Sequence, residues 1–107
     1  MYVYVAGPYT NGDSVLNVRA VCAAAERIIA AGHVPFVPHL YHLWHLIAPK
    51  EYQYWLDLDR AWLRKCEVMV RLPGHSPGAD KEAEWAKEEG IAVISLEDFL
   101  RRAGGGG

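Results

Sequence analysis

A chain of 107 residues, 51% hydrophobic and 22% charged, has material for one folded domain with a single core. Its formal net charge of −2, with no basic block, argues against a nucleic-acid polymer as partner. No apolar run reaches transmembrane length, no signal peptide precedes the first strand, and Cys22 and Cys66 form neither a disulfide framework nor a metal-type spacing, so a cytoplasmic protein with no membrane partner is expected.

Tyr2-Val3-Tyr4-Val5-Ala6 reads as a first strand, and Gly7-Pro8-Tyr9-Thr10-Asn11-Gly12-Asp13 as a turn-rich loop after it. That loop has neither the Walker nor the Rossmann glycine pattern. Ser14 or Asp13 caps a helix that runs to Ala31 and stops at Gly32. A helical wheel gathers Val15, Val18, Val21, Cys22, Ala25, Ile28 and Ile29 on one face, which makes Cys22 a core residue and not a nucleophile. His33 to Val37 is a second strand, with Pro35 placing it at a sheet edge or near its own start.

Pro38 to Pro49 reads as a short extended or irregular segment carrying His39, His42 and His45, with Tyr41 and Trp44 between them. No carboxylate or cysteine completes a metal spacing, and no metal is expected. Imidazole, indole and phenol above a sheet suit a flat aromatic ligand; a hydrophobic lid over the core would use the same residues.

A helix follows from about Lys50 to Lys65, with Tyr52, Trp55, Leu56, Trp62, Leu63 and Cys66 on one apolar stripe. Asp59 falls in the middle of that stripe, where a carboxylate is costly unless paired or used. It either serves a site or hydrogen-bonds a buried backbone group. Asp57 lies opposite, near Arg60 and Arg64, as a surface salt-bridge residue.

Val68 to Leu72 is apolar and short enough for a buried strand, and Pro73, Gly74, Pro77 and Gly78 then break it. Ser76 is placed to cap the next helix, with Pro77 at its first position, which leaves free N–H groups near Gly78 and Ala79. Such a helix start favours an anion, although an ordinary capped helix would look the same. Glu82 comes about one turn later and leans over the same crevice. The helix runs to Glu89, with Ala79, Ala83 and Ala86 on a face that allows close approach to the sheet. Ile91 to Ile94 is a fourth strand, and Ser95-Leu96-Glu97-Asp98 opens a terminal helix to about Ala103.

Strands alternating with helices predict one α/β domain over residues 1–103, Rossmann/flavodoxin-like. Its parallel sheet has about four to five strands in order 2-1-3-4, with helices on both faces, and residues 104–107 form a disordered glycine tail. The loops at Gly7 to Tyr9 and Gly74 to Gly78 open together at the switch point between strands 1 and 3, where ligands bind in such sheets.

With these residues placed, the sequence resembles the nucleoside 2-deoxyribosyltransferase-like superfamily over nearly the whole domain. The matching pieces are Tyr4 to Thr10, Gly32 to Leu40, Asp59-Arg60-Ala61-Trp62-Leu63, and Ser76 to Glu82. It is also similar to the 2'-deoxynucleoside 5'-phosphate N-hydrolases. The resemblance implies Glu82 as nucleophile at the anomeric carbon, Asp59 acting near the leaving base or sugar, and Ser76 and Gly78 holding a 5'-phosphate. Glu84 stands where the relatives usually have glycine. The first loop lacks the phosphate-binding arginine of the hydrolases, and Arg19 and Arg71 are the candidates to replace it.

The chemistry implied is cleavage of a base–sugar bond in a nucleotide or nucleoside, by water or by an incoming base, without a cofactor. Tyr9 is expected to hydrogen-bond Glu82. Gly7, Pro8, His39, Trp44, Ser76, Gly78 and Ala79 are the expected substrate contacts. A nucleotide-binding module without turnover is the alternative. Four tryptophans in so short a chain also predict a homodimer or higher homo-oligomer, joined through Tyr54 and Leu58 on the helix 50–65.

Overall fold

The computed structural model describes residues 1–9 and 12–105; the expectations for Thr10, Asn11, Gly106 and Gly107 lie outside them. Strand β1 (Tyr2–Ala6) leads into helix α1 (Ser14–Ala30), and β2 (Val34–Phe36) into a 3-10 turn (Pro38–Leu40) and helix α2 (Tyr41–Ile47). Helix α3 (Tyr52–Leu63), strand β3 (Val68–Arg71), helix α4 (Pro77–Glu88), strand β4 (Ala92–Ile94) and helix α5 (Leu96–Gly105) complete the chain. All pairings are parallel, and the order is β2-β1-β3-β4, as the sequence predicts. β2 is an edge strand, which is where its Pro35 can lack an N–H without breaking a ladder.

The two-residue period of the strands divides the core between the faces of the sheet. Val3, Val5, Val68 and Val70 pack with Val21, Ala24 and Ile28 of α1 and with Leu96 and Phe99 of α5. Tyr4, Ala6 and Met69 face the other way, against Leu63 at the end of α3, Cys66 just beyond it, and Ala79 and Ala86 of α4. The alanine face foreseen on this helix is therefore the one that meets the sheet.

The buried stripe of α1 is Val21, Ala24, Ala25 and Ile28, a narrower face than the wheel suggests. Val15 and Ile29 are exposed and Cys22 is half-buried. Alanines in the stripe bring the helix close, and valine or isoleucine at its ends then lies beyond the reach of the sheet.

The segment after Pro38 is helical, not irregular. Packing of Tyr41 and Trp44 against Trp55 of α3 supplies what its weak helix propensity lacks. α5 also runs further than expected, to Gly105. Gly104 and Gly105 extend a ladder whose nucleation is already complete.

Among the described residues no helix is long and apolar enough to cross a membrane.

Candidate active site

The carboxyl ends of β1 and β3 come together through two glycines. A Cβ on Gly7 would lie 3.2 Å from the Leu72 Cβ, and one on Gly74 would lie 2.8 Å from the Pro8 ring. Gly74 also has φ +116°, a conformation that side chains disfavour. Close approach of the two loops opens a cleft of roughly 720 Å³ between them, α2, α3 and the start of α4.

Ser76 builds one side of the floor. It is buried and extended, and its Oγ accepts the Ala79 N–H at 3.1 Å as N-cap of α4. The Ala79 N–H, expected to be free, is therefore occupied by the cap. Gly78 lines the cleft, and a Cβ there would meet nothing within 4 Å, so there is open space beside it. Lys81, one residue before Glu82, also lines the cleft.

Glu82 lies half-buried at the centre, and Tyr4 donates its hydroxyl to Oε2 of Glu82. The expected donor, Tyr9, instead sets its ring against His39 and His42, with centroids 5.4 and 4.9 Å apart. The first loop turns Tyr9 toward the 3-10 turn, whereas β1 aims Tyr4 directly at α4. Tyr4 is fully buried, and a buried phenol needs a hydrogen-bond partner. Burial, followed by the Glu82 charge, pushes its pKa upward. Burial also raises Glu82, while the Tyr4 hydroxyl and Arg71 pull it back.

Asp59 reaches the cleft from the middle of α3, as its stripe implied. Its Oδ1 is buried with no hydrogen-bond partner among the described residues. Burial first, and the charge of Glu82 second, raise its pKa from 3.8 to about 7. Near neutrality Asp59 thus holds a proton for part of the time. Asp57 lies outside the cleft and accepts from Gln53 at 2.8 Å. The arginines expected beside it pair with α4 instead, Arg60 with Glu88 at 2.9 Å and Arg64 with Glu89 at 3.0 Å.

Gly7, Tyr9, His39, Asp59, Ser76, Gly78, Ala79 and Glu82 all line this one cleft. Pro8 and Trp44 do not. The Pro8 carbonyl bonds His39 Nε2 at 2.9 Å, and its ring borders a smaller hollow beside α1 and α5. This bond holds the first loop to the turn after β2, and burial lowers the His39 pKa despite the Pro8 and Gly7 carbonyls. Trp44 lies half-exposed behind the wall, edge-on to Tyr41 and Trp55 at 5.7 and 5.8 Å.

Sequence reasoning missed Tyr4 as the partner of Glu82, Trp55 and His45 as the working wall, and Lys50 and Lys81 as the cations at the cleft. Alternation along β1 could have flagged Tyr4, since it places the phenol on a core face. Of the arginines considered, Arg19 is exposed on α1, and Arg71 binds Gly74 O at 3.0 Å and Asp80 at 2.9 Å. Among the described residues no group of His, Cys, Asp and Glu is gathered for a metal ion.

A family model described as a domain of unknown function (DUF7768) matches residues 1–96. The chain belongs to the DUF7768 family. No curated protein matches it in sequence. Among solved structures, the DUF7768 chain is similar to a 2-deoxyribosyltransferase from Bacillus psychrosaccharolyticus, with a TM-score of 0.68 and 16% identity. The match covers 87% of this chain and 69% of that one. At that identity the likeness establishes a shared fold for the DUF7768 domain.

Proposed function

We propose that this domain cleaves the N-glycosidic bond of a deoxynucleoside 5'-monophosphate or nucleoside, as an N-glycosidase or deoxyribosyltransferase. The observation that carries the reading is the pairing of two unlike carboxyl groups in one cleft. Glu82 is aimed by Tyr4, and Asp59 is raised to about 7. A carboxyl held in one rotamer by a hydrogen bond, beside a buried carboxyl that keeps a proton near neutrality, suits nucleophile and acid roles.

In the first step a Glu82 oxygen bonds to the anomeric carbon while the C–N bond breaks. Its electron pair stays on the base, which takes the proton of Asp59. In the second step water, or the nitrogen of an incoming base, attacks the anomeric carbon. Asp59 recovers a proton from it, and the Glu82 carboxylate is released. The Tyr4 hydroxyl keeps Glu82 in one rotamer without taking part in bond making.

Ser76, the Gly78 N–H and Lys81 provide the polar groups for a 5'-phosphate at the start of α4. Lys81 takes the place expected of an arginine. Glu84 is exposed on α4 and leaves the cleft clear, which removes one motive for a binding module without turnover. The fold shared with a 2-deoxyribosyltransferase supports the same chemistry.

The test is incubation with a panel of deoxynucleotides and deoxynucleosides, read by chromatography for free base. Glu82→Gln should lower release by roughly 10³-fold or more. Its amide oxygen can still accept from Tyr4, so the fold and ligand binding should survive. Glu84→Gln should retain activity. Near-normal turnover in Glu82→Gln would overturn the assignment. Nucleotide binding with no base release by the wild type would establish the binding-module reading instead.

A further inference from the structure

We propose that His45 and Trp55 form a base-reading pair that favours an oxo-substituted nucleobase over its amino counterpart, which rests on the reading that the cleft takes a nucleotide or nucleoside. The Trp55 indole N–H donates to His45 Nδ1 at 2.7 Å. The Lys50 backbone N–H approaches the same nitrogen at 3.3 Å. Both groups can only donate, so Nδ1 is the acceptor and the neutral ring carries its proton on Nε2. Among the described residues no hydrogen bond within the chain engages Nε2.

The lock on this tautomer is itself held in place. Tyr41, Trp44 and Tyr54 pack around the Trp55 ring at centroid distances of 5.7, 5.8 and 5.6 Å. Moving the proton to Nδ1 would set it against two other donors. Nε2–H is therefore a donor of fixed polarity.

Its place follows from the two carboxyl groups. His45 and Trp55 line the cleft together with Asp59, and Asp59 follows Trp55 by about one helical turn on the same face of α3. With the anomeric carbon at Glu82 and the leaving nitrogen at Asp59, the far edge of the base extends toward Trp55 and His45. A carbonyl oxygen there accepts from Nε2–H. The exocyclic amine of adenine or cytosine would instead oppose donor to donor, at the cost of an unmade hydrogen bond.

The ligands that test this are the 5'-monophosphates of 2'-deoxyinosine and 2'-deoxyadenosine, which carry an oxo and an amino group at the same ring position. Their binding is measured by calorimetry on Glu82→Gln protein, where turnover does not intervene. The oxo ligand should bind on the order of tenfold more tightly, and His45→Ala should bring the ratio to within about twofold. Trp55→Phe keeps a ring in the wall but removes the locking N–H. It should lower the ratio too, and nitrogen-15 NMR should show His45 passing from a single tautomer to a mixture, a change that loosened packing alone would not produce.

A ratio near one in the parent protein overturns the inference, as does a ratio that survives both substitutions. Either result leaves base release by the wild type, and so the glycosidase reading, untouched. Failure of both nucleotides to bind would overturn the inference, and with no base released from any member of the panel the glycosidase reading as well, whereas oxo preference without base release in the wild type would keep the pair and remove the enzyme.

Discussion

On the floor of the cleft, Tyr4, Ser76 and Glu82 are positioned by β1 and the first turns of α4, and each is tied by a hydrogen bond to the floor itself. On the facing wall, His45 and Trp55 sit on α2 and α3, held by each other and by neighbouring rings. Leu43, Leu46, Ile47 and Tyr52 stand exposed on the same two helices. The floor is specified by backbone geometry and the wall by side-chain packing. Such a division suits a site whose chemistry needs fixed atoms and whose selectivity needs a surface that substitutions can remodel.

Asp59 belongs to both regions, since it stands on a wall helix and feels the charge of Glu82 on the floor, and its replacement should have the largest effect after that of Glu82. Asp59→Asn removes the proton that the proposed mechanism delivers to the leaving base, so base release should fall roughly 10²-fold or more. In the wild type the rate should decline as pH rises through about 7, where the acid is lost. Stability carries the same signature. The unfolded carboxyl ionises near 3.8 and the folded one near 7, so between these values the folded state binds the extra proton. Stability should therefore fall with rising pH across that window, by up to about 1.4 kcal/mol per pH unit, and level off above it. Denaturant titrations at several pH values check this. A slope unchanged in Asp59→Asn would place the titration elsewhere and separate Asp59 from Glu82.

The strands and their order were legible because their period is local and their neighbours follow from α/β connectivity. Ser76, Gly78 and Glu82 were legible because a serine before proline, two residues ahead of glycine, marks a helix start. The wall was not. α2 lies between prolines, is rich in His, Tyr and Trp, and has Leu40 at its N-cap with no side-chain cap bond, so nothing local announces a helix. Spacing placed Trp44 and His45 side by side, and only the packing of α2 on α3 decides that His45 faces the cleft while Trp44 supports Trp55 from behind. Tyr4 escaped notice for a related reason: its acceptor lies 78 residues away, beyond any local pattern.

The exposed side chains of the wall lead to a second, intermediate expectation. Leu46, Ile47 and Tyr52 are 64%, 86% and 74% exposed, more than Tyr54 on the helix first expected to carry a subunit contact. We expect two copies of the chain to meet over this end of α2 and α3, which would cover these side chains and add to the ring packing that holds the wall. Sedimentation at tens of micromolar should give at least a dimer mass, and Ile47→Glu should return it to a monomer. A monomeric wild type would mean that the wall stands alone.

The smallest effect belongs to Ser76 on the floor, where the cap and the proposed phosphate contact reside in one hydroxyl. Ser76→Ala leaves the Ala79 N–H without its partner at 3.1 Å, which should cost about 1 kcal/mol of stability. It should also weaken monophosphate binding by a few-fold while barely changing nucleoside binding. Cap loss by itself would affect both ligands alike, so the difference between them isolates the phosphate contact. Ser76→Asp sharpens the distinction, because aspartate can still cap α4 but puts a negative charge where the phosphate is expected. Stability should then return toward wild type while monophosphate binding drops well below that of Ser76→Ala and nucleoside binding persists. If Ser76→Asp instead binds monophosphate and nucleoside in the wild-type proportion, the start of α4 is an ordinary capped helix, and the phosphate is held elsewhere in the cleft.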